Sequence, residues 1–398
     1  MKEMFLLGAG ASVEAGIPAV YDMTKKMLDF FGDDNRLNRQ FRILKFVVGG
    51  LLFQQGAKNI NPYKGINIED LFNAVLILGN RNDSEISPFV GSWHPMLQDL
   101  QLGELTVNTT RSMLRNIFDP IEQSIDSSIR RGRLHKIEDS SFRSRFQKDF
   151  EEAVRQSMGN KSKWLFSQTA DAMVDKLIDM VWITNQSNIN YLTPLLDYAE
   201  KNKCAIATLN YDNSVELAAQ ANNNRIDTGF ESWSLNGEFV FRRNWIPLIK
   251  LHGSIDWSLT YENISTNKIL PFQIIKKVDP SNKNDRNYHP AVVFGGKNKL
   301  TASGPSLSLI RSFEKELGKC GILNVIGYSF HDEHVNEFIR NWLNGSIDRI
   351  IKIVDPNFDS IDSDFIDPLR DAQKVGRMQL MTEFAGQAIK QYYCIHSN

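Results

Sequence analysis

The sequence predicts an α/β fold, a Rossmann-like, mostly parallel sheet with a large helical insertion. Short apolar runs alternate with helical patterns in the C-terminal half, as they do in parallel α/β sheets. One further apolar run lies near the N-terminus, and roughly 180 residues with mainly helical spacing follow it. We therefore predict a Rossmann-like core from residues 1–20 and 200–398, with residues 21–199 as a mainly helical insertion.

The composition is that of an ordinary soluble protein. The 398 residues are 42% hydrophobic and 23% charged, with a formal net charge of −1. This balance gives no global attraction to nucleic acid or membrane, and no apolar run could span a bilayer. We expect a cytoplasmic protein without direct nucleic-acid binding. A basic cluster over residues 130–148 is interleaved with acids, so we interpret it as a solvated or partner-facing surface.

The cysteines argue against a metal ribbon. Cys204, Cys320 and Cys394 are widely spaced and form no C-x-x-C pair. Structural zinc sites need paired cysteine or histidine ligands at short spacing. We therefore expect no zinc and no disulfide framework.

The N-terminal run leads into a glycine-rich turn. Residues 5–7 are apolar, and Gly-Ala-Gly-Ala-Ser follows at positions 8–12. We predict a strand entering a helix whose N-terminus faces a phosphate, with Gly8 at positive φ and Gly10 admitting a pyrophosphate. Val13 stands where a dinucleotide fingerprint needs a third glycine, so a plain tight turn remains the alternative.

The insertion opens with three predicted helices. The first follows Pro18 and carries apolar residues at Met23, Met27 and Phe31. The second covers 38–53, and the third starts after Asn67 as its cap. Residues 80–110 read as loop or short elements, and residues 107–200 are again mostly helical.

Five apolar runs in the C-terminal half end in polar or glycine-rich residues. They cover 205–209, 246–251, 291–294, 322–326 and 350–354. Ligands of parallel α/β sheets bind at the carboxyl ends of the strands. The coincidence of polar residues with these ends is the strongest argument from the sequence for a ligand site.

Four motifs in order resemble a known family. Gly-Ala-Gly-Ala-Ser at 8–12 continues into Ala-Gly-Ile-Pro at 15–18; Thr-Leu-Asn-Tyr-Asp follows at 208–212, Lys-Leu-His-Gly-Ser at 250–254 and Ile-Gly-Tyr-Ser-Phe at 326–330. Together they resemble the sirtuin-like fold in its bacterial antiphage branch. The size, the insertion and the short tail are similar to the sirtuin-like subunit that works beside a HerA-type hexameric ATPase. The resemblance implies a homo-oligomer with such an ATPase as partner.

The chain also departs from deacylating sirtuins. Where those enzymes continue with Asp-Phe-Arg, this chain has Ala19, Val20 and Tyr21, and their Gln before the catalytic Asn is Leu209. Their four zinc cysteines are absent. The antiphage branch is implied to hydrolyse NAD, as substrate, to nicotinamide and ADP-ribose, and so to deplete NAD during infection. A protein deacylase or ADP-ribosyltransferase, and a non-catalytic NAD or ADP-ribose sensor or scaffold, are the alternatives.

Two residues are predicted to be catalytic. His252 is suited to take a proton from a water or a ribose hydroxyl, and Asn210 to position that water. Ser12 and Ser329 offer hydroxyls to phosphate or ribose, and Asp355 could bind the adenosine ribose. The predicted NAD-binding residues are Gly8, Ala9, Gly10, Ala11, Ser12, Gly16, Ile17, Asp212, Gly327, Ser329 and Asp355.

Each of these assignments has a structural alternative. Asn210, Asp212 or Asn213 could simply cap the helix that starts near Ser214. His252 could be a satisfied histidine at a strand end, and Ser329 could only bond a turn. The acids and histidines of residues 331–334 could suggest a metal site, but we interpret them as the start of a helix capped by Asp332.

Overall fold

The computed structural model describes residues 1–57, 65–80, 162–262, 272–282, 290–292 and 304–394. The chain forms two compact units, Met1–Ala19 with Ile178–Asn398 and Val20–Leu177. The first unit thus resumes at Ile178, before the predicted boundary at residue 200. The helix at Thr193–Asn202 belongs to this unit because it contacts other helices of it. The basic cluster, the predicted loop after residue 80 and Gly295 lie outside the described residues.

Four helices account for the described part of Val20–Leu177. They are α1 (Val20–Asp33), α2 (Asn38–Ala57), α3 (Ile68–Gly79) and α4 (Ser162–Val181), whose last turn belongs to the other unit. α1 buries Met23, Met27 and Phe31, as their spacing predicts. The side chain of Asn67 accepts a hydrogen bond from the Glu69 N–H at 2.8 Å. The three predicted helices and the cap are confirmed.

The other unit contains a parallel sheet. The strands in chain order are β1 (Glu3–Leu7), β2 (Ala205–Thr208), β3 (Ile226–Asp227), β4 (Ile246–Lys250), β5 (Gly253–Glu262), β6 (Phe272–Lys277), β7 (Pro290–Val292), β8 (Ile322–Ile326), β9 (Ile350–Val354) and β10 (Met378–Met381). Seven of them form one sheet in the order β10-β9-β8-β1-β2-β4-β3, and all its pairs are parallel. The Rossmann-like α/β fold is confirmed.

Helices cover both faces of this sheet. The further helices of this unit are α5 (Thr193–Asn202), α6 (Ser214–Asn222), α7 (Phe230–Asn236), α8 (Pro305–Leu317), α9 (Glu333–Asn344), α10 (Ile366–Lys374) and α11 (Ala385–Tyr393). Among them, α7 contacts β6, which is not a strand of this sheet. Met4 and Leu6 of β1 share a core with Phe313 of α8. Phe5 points the other way, its ring centroid 5.1 Å from that of Tyr393 in α11. Central strands buried on both faces read as continuous apolar runs, which is why the sequence revealed them.

A separate three-stranded antiparallel sheet follows β4, in the order β6-β5-β7. The predicted strand at 291–294 is therefore not part of the parallel sheet. Gly253 sits at φ +79°, and a Cβ there would lie 1.7 Å from the Ala291 carbonyl oxygen, so only glycine fits this turn. In β5 the neighbours Asp256 and Trp257 are both buried. Burial on both faces removes the alternation that would have marked this strand in the sequence.

No helix in the described ranges combines the length and apolar character that crossing a bilayer requires.

Candidate functional site

The predicted site residues follow the carboxyl ends of β1, β2, β4, β8 and β9. β1 lies in the middle of the sheet, with β2 and β4 on one side and β8 and β9 on the other. Strands are therefore added on one side of β1 first and on the other side later, and the strand order reverses between β1 and β8. In open α/β sheets such a switch point opens the crevice where ligands bind.

Backbone packs directly against backbone at this switch point, in a contact of residues 8–11 with 327–328 that we call the glycine seam. The N–H of Gly8 donates to the Ile326 carbonyl at 2.9 Å, and that of Gly10 to the Gly327 carbonyl at 2.8 Å. A Cβ on Gly8 would lie 2.5 Å from the Gly327 oxygen, and one on Gly327 would lie 2.4 Å from the Ala11 nitrogen. The glycines are thus required for contact between the two loops.

The segment after β1 differs from its prediction. Gly8 has a φ of −103°, so the predicted positive φ is wrong. Ala9–Ser12 is a four-residue 3-10 helix, and the first α-helix starts only at Val20. The Ser12 carbonyl accepts from the N–H groups of Ala15 at 3.1 Å and Ile17 at 3.3 Å, which closes a tight turn. The first α-helix therefore does not begin at this turn, and the phosphate-binding role of residues 8–12 stays a prediction.

Asn210 is fixed against this turn. Its side-chain nitrogen donates to the Gly8 carbonyl and to the Ser12 hydroxyl, both at 2.8 Å. These bonds use the two hydrogens of the amide nitrogen, so Oδ1 is the atom that can accept a hydrogen bond from a ligand or water. Ser12 is 2% exposed, and its hydroxyl also lies 3.5 Å from that of Ser214. The binding role of Ser12 stays a prediction.

The capping alternative holds for one of its three candidates. Asp212 accepts a hydrogen bond from the Ser214 N–H at 2.9 Å, at the start of α6. Asn213 makes no side-chain cap bond and instead pairs with the Ile183 backbone, accepting at 2.8 Å and donating at 2.9 Å. Asn210 has the separate role described above. The three neighbouring polar residues thus bond in three different directions.

A buried ion pair lies between β4 and α6. The ammonium of Lys250, a residue that is 0% exposed, donates to the Asp212 carbonyl and to Glu216, both at 2.6 Å. Burial, with a further contribution from Asp256, raises the pKa of Glu216 although Lys250 opposes the rise. This pair was not predicted from the sequence, although a lysine inside the apolar run 246–251 was the available signal.

His252 and Asp332 form a second buried pair. The imidazole Nε2 lies 2.9 Å from Asp332 Oδ2, and the residues are 7% and 6% exposed. They follow β4 and β8, which β2 and β1 separate in the sheet. The pair forms the polar wall of a small pocket whose remaining lining is mostly apolar. That lining comprises Leu251, Ile310, Phe313, His334, Val335 and Phe338.

The predicted cap of α9 is confirmed, because Asp332 Oδ1 accepts from the N–H groups of His334 at 3.1 Å and Val335 at 3.4 Å. The sequence did not reveal its bond to His252, which lies 80 residues away. In the portions of the chain that the structure describes, no three His, Cys, Asp or Glu side chains gather as a metal site would require.

The other predicted binding residues are spread along the edge. Ile17 is buried, whereas Ala9 and Ser329 are exposed. Gly16 has a φ of +90°, a conformation that favours glycine. Asp355 is half-buried and accepts from the Asn357 N–H at 2.7 Å, and burial raises the pKa of its carboxyl.

Residues 204–363 match a family model described as a SIR2-like domain. The matched segment contains Asn210, His252, Asp332 and Gly327, but not the turn at residues 8–12. A comparison with curated proteins finds no match. SIR2-like domains use NAD, so the match supports a sirtuin-like family and fits an NAD-utilising activity in broad terms.

Proposed function

We propose that this protein is an NAD hydrolase that cleaves NAD to nicotinamide and ADP-ribose. The observation that carries the proposal is the placement of a fixed amide and a fixed imidazole after neighbouring parallel strands. Asn210 follows β2 and His252 follows β4, and both lie within the SIR2-like segment. A water-positioning group and a base are what this hydrolysis needs from side chains.

The reaction requires little acid catalysis. Water attacks C1′ of the nicotinamide ribose while the bond to the pyridinium nitrogen breaks, and its electron pair passes into the ring. Nicotinamide therefore leaves as a neutral molecule without a proton from the protein. The attacking water must lose a proton, and the imidazole of His252 is a group that can accept one.

Asn210 has the orientation that a water-positioning residue needs. Its amide nitrogen is held by Gly8 and Ser12, which leaves Oδ1 to accept a hydrogen bond from the attacking water. An acceptor aligns the water with its lone pair toward the ribose. The immobilised turn thereby lowers the entropy cost of aligning the water.

The remaining predicted residues would bind the rest of NAD. We assign the dinucleotide to the switch point beside the glycine seam, with residues 9–17, Asp212, Ser329 and Asp355 around it. The seam brings the loops after β1 and β8 together, and open α/β sheets bind dinucleotides at such a point. We expect no zinc in this reaction.

The biological setting is proposed from the family resemblance. NAD hydrolysis would deplete the cofactor during phage infection, in a homo-oligomer that docks on a HerA-type ATPase. Light scattering of the purified protein, with and without that ATPase, tests the assembly. A monomer whose mass the ATPase leaves unchanged would contradict it.

The hydrolase is tested with three variants. We expect His252→Ala and Asn210→Ala each to lower nicotinamide release by about two to four orders of magnitude. Asn213→Ala is the matched control for Asn210→Ala, because each removes two side-chain hydrogen bonds from the same loop. The control should lose comparable stability, on the order of 1–2 kcal/mol, and keep its turnover. A folded His252 or Asn210 variant with full activity would refute the assignment.

Two further arms of the assay separate the alternatives. An acetylated peptide that is required for nicotinamide release would indicate a deacylase, and label from NAD on protein would indicate an ADP-ribosyltransferase. NAD binding by calorimetry without any turnover would indicate a sensor or scaffold. We expect release from NAD and water alone.

A further inference from the structure

We infer that Asp332 is a positioning residue that holds His252 in one tautomer, with the proton on Nε2, so that Nδ1 is the atom that accepts a proton. The structure shows the contact itself; its consequence for turnover rests on the proposed hydrolase function. Fixing the tautomer decides which ring nitrogen carries the reactive lone pair.

The Asp332 carboxylate is held in a single orientation. Oδ1 accepts from the N–H groups of His334 and Val335 at the start of α9, and Oδ2 meets His252 Nε2 at 2.9 Å. The backbone is fixed as well, because the Asp332 N–H donates to the Tyr328 hydroxyl at 3.1 Å. The second carboxylate oxygen is therefore presented to the imidazole at a defined place.

The same contacts favour a negative carboxylate. α9 has 12 residues, and its N-terminus stabilises negative charge through the helix dipole and its N–H groups. An ionised carboxylate only accepts hydrogen bonds, so at 2.9 Å the imidazole must donate from Nε2–H. When the ring is neutral, its lone pair is then on Nδ1. The proton from the attacking water goes to Nδ1, and the resulting imidazolium is stabilised by Asp332 beside it.

Asp332→Asn tests this arrangement with minimal change in shape. The amide keeps an oxygen to cap α9, but it presents N–H to Nε2 and so favours the tautomer with the proton on Nδ1. We expect kcat for nicotinamide release to fall by about 10²–10⁴-fold, as a wrong tautomer does elsewhere, with KM changed by less than about threefold. Asp332→Ser keeps a capping group and removes the partner of His252, and we expect a smaller fall in kcat.

Nitrogen-15 NMR of protein labelled at its seven histidines reads the tautomer without any turnover. His252→Gln assigns the signal by removing it. We expect Nε2–H in the wild-type protein and Nδ1–H in Asp332→Asn. Protonation of Nδ1 in the neutral wild-type ring would overturn the inference, and so would a folded Asp332→Asn variant with unchanged kcat in an active enzyme. A protein without NAD cleavage but with the expected tautomer would refute the hydrolase and leave the positioning of His252 intact.

Discussion

The two sides of the candidate site are held together by opposite means. On one side the loops after β1 and β8 meet in the glycine seam, where a single Cβ would overlap backbone. On the other side Lys250, the last residue of β4, is held by the acidic side chain of Glu216, and His252, which follows β4, is held by that of Asp332. The first depends on the absence of side chains and the second on buried polar side chains.

The two sides of the site should therefore respond to different kinds of substitution. The glycine seam should respond to added volume, because close-packed backbone has no room to relax. The polar side should respond to changes of charge, because an unpaired buried ion costs much more free energy than a missing contact. A motif rich in glycine therefore indicates packing here as well as a binding site.

The largest expected effect is on the polar side. Lys250→Met fills nearly the same volume but leaves Glu216 without its cation in a largely buried position. Removing one partner of a buried pair costs about 3–5 kcal/mol of the free energy of unfolding, measured here by urea denaturation. The double variant Lys250→Met/Glu216→Gln removes the stranded charge and should recover about 1–3 kcal/mol. Equal losses in the single and double variants would show that charge is not the cause.

A smaller loss is expected in the glycine seam. Gly327→Ala places a Cβ 2.4 Å from the Ala11 nitrogen at a φ of +64°, so we expect a loss of roughly 2–4 kcal/mol. Gly376→Ala is the matched control: its φ is +74°, but a Cβ there meets nothing within 4 Å. The control isolates the cost of the left-handed backbone, about 1–2 kcal/mol. If both variants lose the same amount in urea denaturation, the close approach of the two loops is refuted.

The smallest effect concerns Asp355, a carboxylate that follows β9 on the glycine side. Burial raises its pKa above the ordinary 3.8, so between the two values the folded state binds more protons than the unfolded state. Its contribution to the free energy of unfolding therefore falls as the pH rises through that window. Asp355→Asn keeps the acceptor for the Asn357 N–H but does not titrate, so the fall in stability that Asp355 causes should be absent from the variant.

Urea denaturation of both proteins over a series of pH values measures this change, because the other titrating groups cancel in the difference. The stability of the variant relative to the wild type should rise from the lower to the upper end of the window. Stability profiles that run parallel for the two proteins would contradict the raised pKa of Asp355. They would also contradict the view that, in the described part of the chain, Asp355 has no cation beside it to oppose the effect of burial, as Lys250 does for Glu216.

Local sequence patterns predicted much of the fold. The runs that became β1, β2, β4, β8 and β9 were predictable because strands buried on both faces are continuously apolar and end at turn residues. The caps at Asn67 and Asp332 were predictable because a cap bonds to the chain two or three residues ahead. The small antiparallel sheet was not, because β5 is buried on both faces while carrying polar residues.

By itself, the sequence determined which residues end the parallel strands, and so which side chains gather at one edge of the sheet. Only the tertiary structure decided the partner of each one. Asn210 meets Gly8, 202 residues away, and His252 meets Asp332, 80 residues away. Such bonds depend on strand order and on the path of each loop, because a hydrogen bond forms only within a narrow range of donor–acceptor distances and angles. A local pattern names a polar residue, but the direction in which that residue bonds is set by distant parts of the chain.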